Sequence, residues 1–154
     1  KNVPQAIGNL TSRHIFYLPN PPLLPSPQLT VDALIELNGN HWRKILTITA
    51  KLMCGADDWK TYRDNQLLND VCFNFGDRLK QQKSNCHYIC GKNHWTKFAL
   101  SPTSEEYEQC DEAQKAWKKR GQDNDEGLLL LLPYPDYRQF NNKLIDSIKT
   151  AYLG

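Results

Sequence analysis

The chain has no apolar run long enough to cross a bilayer. Its longest, Leu128–Pro133, falls far short of the ~20 residues a membrane-spanning helix needs. The opening segment Lys1–Gly8 is polar and lacks the apolar centre of a signal peptide, so a cytoplasmic location is the simplest expectation, although a first residue other than Met leaves room for trimming. Excess charge is also scarce. Nineteen Lys and Arg against seventeen Asp and Glu leave a formal net charge of +2, which excludes a polyelectrolyte tail and permits nucleic-acid contact without indicating it. There is no H-E-x-x-H, no C-x-x-C and no paired-carboxylate motif, so neither a metal nor any other cofactor is called for. Five cysteines, Cys54, Cys72, Cys86, Cys90 and Cys110, are an odd number, which disfavours a closed disulfide framework and makes buried reduced thiols the expectation. Internal repeats and low-complexity segments are missing too.

What remains is a chain of 154 residues with 40% hydrophobic, 10% aromatic and 23% charged side chains, the make-up of a single globular α/β domain over residues 1–154. His14–Leu18 is short, β-branched and aromatic, and Pro19, Asn20, Pro21 and Pro22 stop it at once, as expected of a buried strand running into a stiff loop. Thr30 and Asp32 open a short helix that Asn38 and Gly39 end. Asn40 then opens a longer one, with Trp42, Ile45, Leu46, Thr49, Leu52 and Met53 on one stripe and Gly55 as its stop.

Asp57 or Asp58 caps a third helix reaching Leu68. Val71, Phe73 and Phe75 alternate as a strand does, and a short basic helix is expected at Arg78–Lys83. Cys86–Cys90 is a further strand, with both cysteines on one face, and Lys92–Ala99 a helix. Glu105–Arg120 has acids early and bases late, which suits the dipole of a solvated helix. Leu128–Leu132 reads as a strand buried on both faces, Pro133–Phe140 as a second proline-rich loop, and Asn141 or Asn142 caps the last helix. The alternation predicts three layers, with a central four-stranded, mostly parallel sheet flanked by helices. The ten or so residues between Val71–Phe75 and Cys86–Cys90 are few for a helical crossover, so an antiparallel pair is the alternative there.

In an open parallel sheet, ligands bind beyond the carboxyl ends of the strands, where loops converge at a switch in strand order. Three segments qualify: Pro19–Pro27, Gly91–Trp95 and Pro133–Phe140. They offer amide, carboxylate, guanidinium and aromatic groups, with no evident nucleophile and base pair. His41 and His94 follow helix starts and read as surface or capping residues.

These segments resemble a known superfamily. IFYLPNPPLLPS (Ile15–Ser26) is similar to the first motif of the mismatch-specific uracil/thymine branch of uracil-DNA glycosylases, where a strand ends in an Asn-Pro-Gly turn. NHWRKIL (Asn40–Leu46) resembles that branch's Asn-Arg-Phe-Trp-Lys helix start, and CHYICGKNHWTKF (Cys86–Phe98) its strand, Gly-Lys turn and helix. LLLLPYPDYRQF (Leu129–Phe140) stands where the branch has its last strand and second motif. The chain as a whole also resembles a small bacterial family of unknown function.

The resemblance implies a uracil-DNA glycosylase-like fold and a groove for a nucleotide flipped out of DNA, with hydrolysis that needs no metal. It gives Asn20 the water-orienting, catalytic role, against a local reading as a turn residue before two prolines. It makes Tyr17 or Tyr134 candidates to stack on the base, Tyr137, Arg138 or Phe140 to wedge into the duplex, and Arg43, Lys44 and Lys92 to touch phosphates. Two departures mark the site. Pro22 stands where the branch has Gly, placing a ring and no N–H at the close approach. Tyr134, Asp136 and Tyr137 replace the small and amide residues of the second motif. The expected function is thus a divergent or inactive DNA-base glycosylase with DNA or a nucleotide as partner. The alternative is a non-catalytic module that uses the same cleft, Pro22, Tyr134 and Asp136 included, for a nucleotide, a single strand or a protein.

Overall fold

The apolar segments become strands of one mixed sheet, and the amphipathic segments become helices that cover it. A computed structural model of the chain describes residues 4–80, 84–103, 105–121 and 127–153. The strands are β1 (Ala6–Gly8), β2 (His14–Tyr17), β3 (Cys72–Asn74), β4 (Cys86–Cys90), β5 (Tyr107–Gln109), β6 (Trp117–Lys119) and β7 (Leu128–Leu132). They lie in the order β1-β3-β2-β4-β7-β6-β5. β3, β2, β4 and β7 are parallel neighbours, while β1 on β3, β6 on β7 and β5 on β6 are antiparallel. The expectation of four strands is therefore corrected to seven, of which the middle four are parallel. β3 and β4 do not pair at all. β2 lies between them and runs parallel to both, so the short link crosses one strand without a helix over its described part.

A second correction concerns Glu105–Arg120, which is a hairpin and not a helix. Its strands set Glu108 opposite Lys118 and Tyr107 opposite Lys119, and Asp111 closes the turn by accepting from the Lys115 and Ala116 N–H groups at 2.9 and 3.0 Å. Acids early and bases late suit a helix dipole, but they also suit cross-strand pairs. The pairing of Trp117 with Leu131 on β7 then fixes which arrangement forms. The basic helix at Arg78–Lys83 is absent from residues 78–80, and Gln81–Lys83 lie outside the described residues.

The helices are α1 (Val31–Asn38), α2 (Asn40–Met53), α3 (Trp59–Asn65), α4 (Leu67–Asp70), α5 (Lys92–Lys97) and α6 (Asn142–Ile148), which runs on into a π-helical turn, Lys149–Leu153. Thr30 caps α1 by accepting from the Ala33 N–H at 3.1 Å, and Asn141 caps α6 by accepting from the Leu144 N–H at 3.0 Å. Gly39, at φ 78, both ends α1 and opens α2, a conformation that a side chain would strain. The α2 stripe packs on one sheet face, with Trp42 edge-on to Phe73 at 5.8 Å and Phe16 stacked on Tyr88 at 4.4 Å. Cys86 and Cys90 both sit in this core, and none of the five cysteines is in a disulfide. The other face carries Ile15, Tyr17, Ile89 and Leu131 under Trp95, Phe98 and Leu100. The two outer layers are unequal: one holds most of the helices, the other one short helix and loops. No described helix is long and apolar enough to cross a membrane.

Candidate functional site

Because β2, β4 and β7 are parallel, the three loops that follow them leave the same edge of the sheet. The chain moves from β2 to β3 on one side and from β3 to β4 on the other, so the switch in strand order falls between β2 and β4. The amino end of α2 joins this edge. There the His41 Nε2 and the Tyr134 Oη share a hydrogen bond of 2.6 Å, with the two rings stacked at 5.6 Å. Burial pushes the Tyr134 phenol up to about 12, so it keeps its proton. One helical turn on, the Lys44 ammonium lies 5.7 Å from the centre of the Tyr137 ring. Tyr137 is exposed and borders a hollow of about 280 Å³ shared with Ile48, Lys51 and Asn142.

The loop after β2 holds Asn20 exposed and Pro22 buried. Asn38 clamps the same loop, accepting from the Leu23 N–H at 2.8 Å and donating to the Leu23 carbonyl at 2.9 Å. The same loop contains a cis peptide bond, Ser26–Pro27. In the loop after β7, Asp136 serves its own turn: it accepts from the Arg138 and Gln139 N–H groups at 2.9 and 3.1 Å and from the Gln139 amide at 2.8 Å. Arg138 is exposed, as are Arg43, held by Asn40 at 2.7 Å, and Lys92 beside Gly91. A Cβ on Gly91 would lie 3.4 Å from the Tyr134 ring, which brings the loops after β4 and β7 into contact.

Two residues stand elsewhere than the resemblance implies. Phe140 is 1% exposed and fills the core beside Phe16, Leu18 and Ile48, because the Asp136 turn folds it inward. Tyr17 is fully buried on the far face of the sheet, since strand alternation points it away from the α2 side. The Tyr17 Oη lies 2.8 Å from the His87 Nδ1 and accepts from the Lys80 N–H at 3.0 Å. Neither side chain offers a face to a ligand at the edge. Sequence reasoning missed the pairing of His41 with Tyr134, which lie 93 residues apart and share no motif.

The Tyr17–His87 pair also predicts a pH response. Burial holds the His87 imidazole near 4, below its ordinary 6.5, so between these values the unfolded chain binds a proton that the folded chain does not. Stability is complete above about pH 6.5 and falls as pH drops toward 4, by about 2 kcal/mol once the partial exposure of the ring is discounted. Burial lowers His14 and His94 too, in the same direction. Urea unfolding at pH 7 and pH 4.5 measures the loss, and His87→Asn should flatten it; an equal slope in the variant would contradict this account.

These features define an α/β protein whose parallel strands deliver three loops to one edge, where aromatic and basic side chains gather. The chain belongs to a protein family of unknown function, DUF6942, whose model matches residues 5–152. No curated protein and no solved structure matches it, and none of these comparisons links it to uracil-DNA glycosylases.

Proposed function

We propose that this edge of the sheet binds a nucleotide, alone or within single-stranded nucleic acid, in a divergent DNA-base glycosylase-like module that has lost hydrolysis. The observation that carries the reading is the cluster around the first turns of α2. Tyr137 offers an exposed ring beside the Lys44 ammonium, and His41 fixes Tyr134 next to it. Flat faces beside cations are what sequence-tolerant binding of bases and phosphates requires.

Two further features favour binding over cleavage. Pro22 brings a ring and no N–H to the turn where the resemblance implies Gly, and the Asp136 carboxylate is occupied by three donors of its own loop. A surviving hydrolase is the second reading, favoured by the exposure of Asn20 at the carboxyl end of β2.

One experiment separates them. Single-stranded and mismatched oligonucleotides containing uracil, thymine or hypoxanthine are incubated with the protein, treated with alkali and also run in a mobility shift. The expected result is no strand breaks and a salt-sensitive shift that weakens about 5- to 100-fold in Tyr137→Ala, the loss of one stacked base. Breaks that disappear in Asn20→Ala would establish the hydrolase, and neither breaks nor a shift would overturn both readings.

A further inference from the structure

Among the described residues, the only buried side-chain polar atoms without a hydrogen-bond partner are the two nitrogens of one ring, Nδ1 and Nε2 of His94. The imidazole is 3% exposed and meets the Phe98 ring edge-on at 4.9 Å. A neutral imidazole carries one donor and one acceptor. Burying both unpaired opposes folding, and a packed apolar ring at the same position would not. Buried groups that the fold leaves unpaired are rare and concentrate at functional sites, where the partner comes from outside the chain.

The placement agrees. In the register, Tyr17 lies opposite Ile89, so the chains leaving β2 and β4 depart from the same edge of the sheet. His94 is on the first turns of α5, at the switch in strand order. Asp77, on the loop after β3, is near enough to act on the ring electrostatically, as is Lys97 of α5 itself. The loop after β3 and the helix after β4 thus come together at a side chain with unmet hydrogen-bonding capacity.

We infer that His94 is a ligand-binding residue of this edge, hydrogen-bonding to a polar atom of the nucleotide base. The inference rests on the reading given under Proposed function and adds the group that recognises the base. A polar atom of the ligand supplies the partner that the fold withholds.

The test compares wild type, His94→Phe and His94→Gln, with deoxyuridine monophosphate and a mixed-sequence single-stranded deoxyoligonucleotide as probes. Tm, affinity and the ¹⁵N shifts of the His94 ring are read. The expected results are a Tm higher by about 2–8 °C in His94→Phe, a loss of affinity of about tenfold or more in that variant, partial recovery in His94→Gln, and ring ¹⁵N shifts in wild type that move on titration. A lower Tm in His94→Phe would make the ring a structural group and overturn the inference. So would unchanged affinity in His94→Phe when wild type binds, a result that leaves the nucleotide reading standing. If wild type binds neither probe, the nucleotide reading itself fails and the inference fails with it.

Discussion

Trp95→Ala is expected to lower Tm by about 8–16 °C. Trp95 is 4% exposed and covers the face of the sheet that has the thinner layer. Removing a large buried ring costs about 4 kcal/mol in lost burial and cavity, and in a domain of this size each kcal/mol corresponds to about 2–4 °C. The indole also joins two strands, its Nε1 donating to the Ile89 and Leu132 carbonyls at 2.9 Å each. Trp95→Phe keeps most of the packing and loses that donor, so it should show a smaller loss, about 1–2 kcal/mol. Because those carbonyls lie at the carboxyl ends of β4 and β7, the Phe variant should also loosen the edge and weaken the mobility shift. Calorimetry on the pair decides the matter: equal losses in the two variants would mean that the hydrogen bonds, and not the ring's bulk, hold this layer in place.

Gly8→Ala should be nearly as damaging although it adds one methyl group. Gly8 ends β1 at φ +93, and a Cβ there would stand 2.4 Å from the Val71 carbonyl oxygen, backbone that cannot swing aside. That oxygen is also held by the Asn9 N–H at 2.9 Å. A strained left-handed conformation and a backbone clash together should cost about 3 kcal/mol or more, which is about 6–12 °C in Tm. Gly55→Ala is the control, since a Cβ there meets nothing within 4 Å, and it should change Tm little or raise it slightly. Equal effects at the two positions would refute the clash.

Where apolar periodicity was unambiguous, the sequence and the structure agree. Cys86–Cys90 and Leu128–Leu132 are strands over those same residues, and α2 begins at Asn40 because Gly39 breaks the chain before it. Agreement fails where one local signal serves two structures. The charges of Glu105–Arg120 stabilise a helix or a hairpin equally well, and contact with β7, remote in sequence, selects the hairpin. β1 is too short to leave a pattern, and Ile7 is its one buried residue.

Strand order was equally beyond local reading, since nothing in the link from Asn74 to Cys86 records that it must pass over β2. At the candidate site, the loops and their shared edge were legible from strand ends and prolines. The fate of single side chains was not: alternation on β2 turned Tyr17 inward, the Asp136 turn took Phe140 into the core, and His94 carries no pattern that announces its burial.

The two flanks of the sheet have a bearing on how the molecule behaves in a crowded solution. Each described flank ends in an antiparallel strand of three residues, β1 on one side and β5 on the other. The five-residue parallel strands β4 and β7, whose longer ladder would template a neighbouring chain best, are enclosed between them. A second molecule approaching either border finds too few unpaired amides to extend the ladder, and on one of them it meets Glu108 as well. The added hairpin therefore guards against edge-to-edge aggregation.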